Sequence, residues 1–314
     1  MLTAAFCMVA ISACTKVEPE NELPYITFGV SGIGESAKAL ISDGDFTSNT
    51  VYVYGVMNNT TTIYDNVAIT KEQNSYNWSP ATKRQWQGSA NYSFHGYTHS
   101  GSCNVTHDGL KISLSQPDTY VEENMVDYML SHSYKVANGS NHHIVMLYMQ
   151  HAMACVEISV VKQMSDHNIT LKGITLEHIY TNASMECTSH AIANSGDNNV
   201  WETKLSGNNE VRYTDTSFTA DGNTLGKMTL LAVPQQLTSY TQLSVEYTVD
   251  EDNDNTTPPT EYSQAFKLYN YTPYVWESGH KIKYTLTINT GVDLKAQITD
   301  WTDGGYTEGV ILPN

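Results

Sequence analysis

The run of residues 144–161, IVMLYMQHAMACVEISVV, constrains this chain more than any other stretch. Its length approaches the roughly 20 apolar residues that a membrane-spanning helix needs. Gln150, His151 and Glu157 interrupt it, however, and a carboxylate within lipid is costly. Val145, Val156, Ile158, Val160 and Val161 are β-branched, which favours a pleated, half-buried surface. Even positions are apolar apart from Gln150, while His151, Glu157 and Ser159 fall on odd ones, which is mainly a period of two. The pattern predicts one long strand, or two collinear strands bent near Gln150 and His151. It expects Ile144, Met146, Tyr148, Ala154, Val156, Ile158 and Val160 to be buried.

The rest of the chain is consistent with strands. NTVYVYGV at 49–56 and LKISL at 110–114 alternate, as do ITLKGITLEHIY, KMTLLAVPQQL, LSVEYTV, SQAFKLYNY, HKIKYTLTI and LKAQITDW further on. Strand signals recur every 10–20 residues or so, with no sustained helical period, which predicts an all-β protein of sandwich type. Residues 126–134 read as a short helix or a strand. The turn-rich VANGSN at 136–141 marks the expected boundary between an N-terminal unit, 14–141, and a C-terminal unit, 142–314. The long run would then open the second unit.

Charge narrows the function. The net charge of −17 repels phosphate backbones and anionic lipid surfaces, so nucleic acid is excluded as a natural partner. Residues 2–13 are apolar and end in Ile11-Ser12-Ala13 before Cys14, followed by the acidic TKVEPENE. Small residues ahead of a cysteine resemble a bacterial lipobox, which makes 1–13 a signal peptide and Cys14 the lipid-bearing residue. No Lys or Arg precedes Cys14, so the basic start of the signal is expected upstream of Met1. Of the five cysteines, Cys103, Cys155 and Cys187 then stay unmodified, allowing at most one disulfide. Cys155, inside the apolar run, is expected to be a small buried hydrophobe.

Catalytic signatures are weak. Gly29-Val30-Ser31-Gly32 lacks the spacing of a nucleophile elbow, GVSGIG lacks the lysine of a phosphate loop, and no carboxylate pair stands out. An enzyme is not expected. His95 and His99 would share a strand face but sit about 13 Å apart, too far to hold one metal. His107 and the pair His142 and His143 are expected to be structural or exposed. The acidic loop 250–261, DEDNDNTTPPTE, places Asp250, Asp252 and Asp254 at positions 1, 3 and 5 and Glu261 at position 12 of a calcium-loop spacing. Strands rather than helices flank it and Pro258-Pro259 stiffens it, so a solvated hairpin loop is the simpler expectation, with calcium as the one cofactor candidate.

Taken in order, ITF, VYVYG, IYDN, YNW, SFHGY, DYMLSHSY, the long run with His151, LLAVPQQL, WESGHKIKYTLTI and ITDW resemble the fimbrillin family of Bacteroidales, lipoprotein precursors of surface pili. The resemblance implies two transthyretin-like β-sandwich domains in tandem. It also implies a mechanism in which a protease removes the first strand of a subunit at the outer membrane. A strand from another subunit's tail then fills the groove by β-augmentation. On that reading residues 25–30 form the removable strand, with Tyr25, Ile26, Phe28 and Val30 in it. Val310, Ile311 and Leu312 belong to the donor tail. The family's processing follows Arg, but no Arg precedes Arg84, so Lys38 is the candidate cleavage site. The implied partners are other pilus subunits, outer-membrane lipid through Cys14, and a host or bacterial surface ligand. The competing expectation is a monomeric surface lipoprotein that binds glycans.

Overall fold

The structure is a computed structural model, and it describes residues 24–31, 50–73, 77–98, 103–106, 109–131, 134–136, 144–164, 167–187, 202–207, 211–250, 257–289 and 291–300. The described residues form strands joined by turns. The first half holds β1 (Phe28–Ser31), β2 (Val51–Met57), β3 (Thr61–Lys71), β4 (Trp78–Pro80), β5 (Tyr92–Tyr97), β6 (Cys103–Thr106), β7 (Gly109–Ser115), β8 (Met129–Ser131) and β9 (Tyr134–Val136). The long run supplies β10 (Val145–His151) and β11 (Ala154–Lys162). Then come β12 (Asn168–Ile179), β13 (Asn182–Cys187), β14 (Glu202–Ser206), β15 (Val211–Asp215), β16 (Thr224–Ala232), β17 (Gln235–Gln236) and β18 (Gln242–Asp250). The last are β19 (Thr260–Lys267), β20 (Val275–Trp276), β21 (His280–Ile288) and β22 (Val292–Asp300). Short 3-10 turns lie at Glu122–Asn124 and Leu268–Asn270. The chain is all-β, and among the described residues no helix is long and apolar enough to cross a membrane.

The first sheet runs β2-β3-β4-β1-β10-β8-β5-β9, and β2 also pairs with β5. That extra ladder, six pairs from Tyr52↔Tyr97 to Met57↔Tyr92, closes the sheet into a ring instead of leaving two separate layers. Closure removes the unpaired backbone that an open edge presents. Inside sit Ile26, Phe28, Val53, Tyr64, Trp78, Trp86, Tyr92 and Phe94, an aromatic core in which Tyr92 and Phe94 stack at 5.9 Å.

The second half packs the sheet β16-β11-β21-β22 against β15-β12-β18-β19. Val156, Ile158 and Val160 of β11 meet Ile174 and Leu176 of β12 and Leu243 and Val245 of β18 in one core. A third sheet, β14-β13-β7-β6, joins the halves. Its central ladder runs from Asn182↔Ser115 to Cys187↔Leu110, pairing a strand of the second half with one of the first. Leu110, Ile112 and Leu114 are buried in the core of the second half, so the two units interlock through a shared sheet. Glu186 on β13 strengthens the join by bridging Lys111 on β7 and Lys204 on β14.

The long run departs from expectation in an instructive way. It bends where predicted, but its two strands belong to different sheets: β10 pairs with β1 and β8 in the ring, and β11 pairs with β16 and β21. The passage between sheets therefore falls at Ala152 and Met153 rather than at the turn-rich 136–141. The burial pattern also changes across that link: Val145, Leu147, Met149 and His151 are buried in β10 with Tyr148 exposed between them, whereas all seven residues from Ala154 to Val160 are buried in β11, which is covered on both faces. Ile144 (43%) and Tyr148 (58%) are exposed, against the expectation of a single phase, and Met146 is only half-buried. Ala152 and Met153 carry the chain from one sheet to the other, and the expected single phase holds only where one face of the strand meets solvent, as in β10.

The link is held from both sides. Ala152 N donates to Tyr128 O at 2.7 Å, Gly279 N donates to Met153 O at 2.9 Å, and Ser278 Oγ donates to His151 O at 2.8 Å. Gly279 has φ +72°, a left-handed turn that glycine enters without steric cost. Beside this link His151 Nδ1 lies 2.8 Å from Asp127 Oδ2, both side chains being under one-tenth exposed.

Candidate functional site: the seat of the first strand

Residues 24–31 occupy a slot between two walls. On one side β1 runs parallel to β10, with Phe28↔Val145, Gly29↔Met146, Val30↔Leu147 and Ser31↔Tyr148 in register. On the other, Phe28 pairs with Trp78 of β4, Tyr25 bridges Gln85, Ile26 N donates to Arg84 O at 2.7 Å, and Trp86 N donates to Pro24 O at 3.1 Å. Side chains alternate along this segment. Ile26 and Phe28 point into the ring and are buried, Val30 is half-buried, and Tyr25 is half-exposed. Phe28 plugs the aromatic core, with Tyr64 and Phe94 edge-on at 5.7 Å each. Burial pushes the Tyr64 phenol up to about 12 even though the neighbouring Arg84 opposes the shift.

Gly29 lies against the Met146 side chain, whose flexible end would have to swing aside for a Cβ there. The slot accepts a strand that is bulky at positions 26 and 28.

The remaining candidate positions divide cleanly. Cys14, Lys38, Val310, Ile311, Leu312, Asp252 and Asp254 lie outside the described residues, as do His99, His107, His142 and His143. Asp250 ends β18 with a buried side chain, and Glu261 stands on β19 opposite Thr248 with its side chain exposed. Loop 250–261 therefore connects two antiparallel strands, and among the described residues no three His, Cys, Asp or Glu side chains converge as a metal site. His95 is buried in β5. Cys155 is buried and free, and burial pushes its thiol up to about 12.

A second polar feature, one of the three polar interruptions of the apolar run, sits on β11. Glu157 is 7% exposed and lies among Lys227 at 2.8 Å, Lys281 at 3.1 Å and Lys283 at 3.4 Å. Burial works against its ionisation, but the hydrogen bonds and charges of Lys227 and then Lys281 outweigh burial and pull the carboxyl down to about 2. The signal was in the sequence as lysines alternating along HKIKY, but only strand pairing shows that they converge on one carboxylate. Because the folded-state value is below the unfolded one, the ion cluster stabilises the fold fully above about pH 4.5 and loses that contribution as pH falls toward about 2. Glu157→Gln should therefore flatten the loss of stability between those pH values, measured by urea denaturation at each pH. An unchanged acid slope would show that Glu157 is not the group responsible.

Comparison with known proteins places this geometry. A family model described as fimbrillin-like matches residues 38–301. Among solved structures, a candidate cell adhesion protein of Bacteroides uniformis aligns at TM-score 0.57 and 13% identity, covering 88% of this chain and 99% of the other. A candidate cell adhesion protein of Bacteroides ovatus aligns at 0.51 and 14%, covering 90% and 99%. One from Parabacteroides distasonis aligns at 0.50 and 10%, covering 88% and 97%. At these identities the likeness is one of fold. No curated protein sequence matches.

Proposed function

The chain belongs to the fimbrillin-like family, and from that premise we propose that it is a structural or adhesive subunit of a surface pilus, exported as a lipoprotein through Cys14 and assembled by exchange of its first strand. The observation that carries the reading is the seat of residues 24–31. A segment of a few residues fills a core slot with Ile26 and Phe28, yet its backbone is held mainly by one parallel ladder of four pairs and a few bonds to residues 84–86. Parallel pairing is slightly weaker per residue than antiparallel pairing, so such a strand is replaceable by another that fills the same pockets. Cleavage after Lys38 would free the segment. The tail with Val310, Ile311 and Leu312 of another subunit would supply the replacement. In this reading the ring and the stacked sheets are two interlocked transthyretin-like units, and the site of action is the cell surface at the outer membrane. The membership of the family and the cell adhesion names of proteins sharing the fold support this placement.

The test is to cut the folded protein after Lys38 and add a fluorescent peptide of residues 305–314. Retention of the peptide by cut protein, with release of the fragment containing residues 24–31, is the expected result. A cut protein that keeps its first strand and ignores the peptide, and that remains monomeric, would overturn strand exchange in favour of a monomeric surface lipoprotein.

A further inference from the structure

The sheets of the described residues end in edge strands, and most of these edges are blunted. β6, β9, β14, β15, β17 and β20 have five residues or fewer. β16 carries Lys227 and pairs across a register shift between Val160 and Val161 of β11. β22 carries Asp293 and Lys295 within three residues of each other. Short length, bulges and interspersed charges are the devices by which an edge avoids pairing with another chain. The edge at β19 is different. It is eight residues long, TEYSQAFK, and its ladder with β18 runs from Gln242↔Lys267 to Val249↔Thr260 without a shift. Its two charges, Glu261 and Lys267, stand near its ends and leave residues 262–266 uncharged between them. Every residue of the strand except Phe266 is exposed. Pro259 precedes it and the 3-10 turn Leu268–Asn270 follows it, so both of its ends are fixed.

We propose that β19 is a self-association edge, pairing antiparallel with β19 of a second copy about a two-fold axis at Gln264. In that register the strand is complementary to itself. Glu261 of each copy faces Lys267 of the other, Tyr262 faces Phe266, Ser263 faces Ala265, and Gln264 faces its counterpart. Cross-strand pairs of opposite charge and of aromatic rings stabilise a sheet, whereas like charges directly opposite destabilise it. The aromatic pair also prolongs a row already present, because Tyr262, 41% exposed, stacks on Tyr247 of β18 at 5.3 Å. Moving the axis to Ser263 would set Glu261 opposite Ala265, and moving it to Ala265 would set Lys267 opposite Ser263. Charge and rings therefore select the axis at Gln264. The backbone groups that β19 turns away from β18 gain partners in the same step. A foreign strand would meet the same backbone, but a second β19 brings the matching order of charges and rings. The four-stranded sheet β15-β12-β18-β19 would become one continuous sheet across the two copies. A contact of one strand pair is small, so the association is reversible and depends on concentration. It lies in the second half, away from the seat of residues 24–31, joins chains side by side, and needs no cleavage.

The test is sedimentation of the uncut full chain over a range of concentrations. The expected result is a reversible monomer–dimer equilibrium. Glu261→Lys and Lys267→Glu should each weaken it about tenfold, since either change sets two like-charged pairs opposite each other. Thermal unfolding should stay unchanged in both variants, because both side chains are exposed. An equimolar mixture of the two variants should dimerise again, because each altered position then faces the opposite charge on its partner. Three outcomes overturn the proposal: a chain that stays monomeric at every concentration, a dimer that either variant leaves intact, or two weakened variants that mixing does not restore. The last would assign the contact to another register or another strand. Peptide exchange after cleavage at Lys38 is then measured on the Lys267→Glu protein, so that failure there sinks strand exchange alone and failure here sinks the edge alone.

Discussion

Phe28→Ala is expected to destabilise the protein by about 3–5 kcal/mol, the range for truncating a fully buried aromatic ring. Phe28 has no exposed surface, and it touches Tyr64 and Phe94 edge-on while its backbone pairs with both Val145 and Trp78. Removing the ring takes away the transfer energy of the side chain and leaves a void that the closed ring of strands cannot easily collapse around. The loss should also be local. Hydrogen exchange of residues 25–31 and their partners in β10 should accelerate more than that of β11 or β12, because a weakened first strand opens without unfolding the second half. Urea denaturation together with exchange measured by mass spectrometry checks both parts. A cost below about 1 kcal/mol would mean that the segment is not seated in the core as described.

His151→Leu carries the second large effect. The imidazole forms a buried pair with Asp127 where the chain crosses from the ring to the second half. Taking away one partner of such a pair leaves a buried polar group without its hydrogen bond and costs about 1–3 kcal/mol. Adding Asp127→Leu to His151→Leu removes the orphaned carboxyl group as well, so the double variant should recover part of the loss. Urea denaturation of the two single variants, the double variant and the unaltered protein makes a closed cycle. Additive effects, with no recovery, would show that the pair is not energetically coupled. Because Tyr128, the neighbour of Asp127, also receives the Ala152 amide, the single variant should loosen the join between the halves and raise proteolysis near residues 151–153.

How far the sequence reached can be judged element by element. Alternation in HKIKYTLTI and LSVEYTV predicted β21 and β18 with their inward faces, because each lies on a sheet with one buried side. The first strand with Ile26 and Phe28 was placed by the family resemblance, and only the structure shows both side chains inward. Alternation passed over β14 and β15. Glu202–Ser206 is polar and largely exposed, and Val211–Asp215 buries only Tyr213, so neither carries a strong period. Residues 126–134 stayed ambiguous because two strands of three residues are too short to show one.

What the sequence determined by itself was the class of fold and the family, since both depend on side-chain type and local spacing. What only the tertiary structure decided was closure of the first sheet through β2 and β5, the sharing of β7 with β13, and the covering of both faces of β11 where β10 has one face exposed. Each of these depends on which strand lies beside which. A period of two fixes that a strand has an inside and an outside, but it is blind to the neighbour that makes one side the inside. The run 144–161 shows this plainly: one apolar stretch in sequence became strands of two different sheets because different partners cover its two parts.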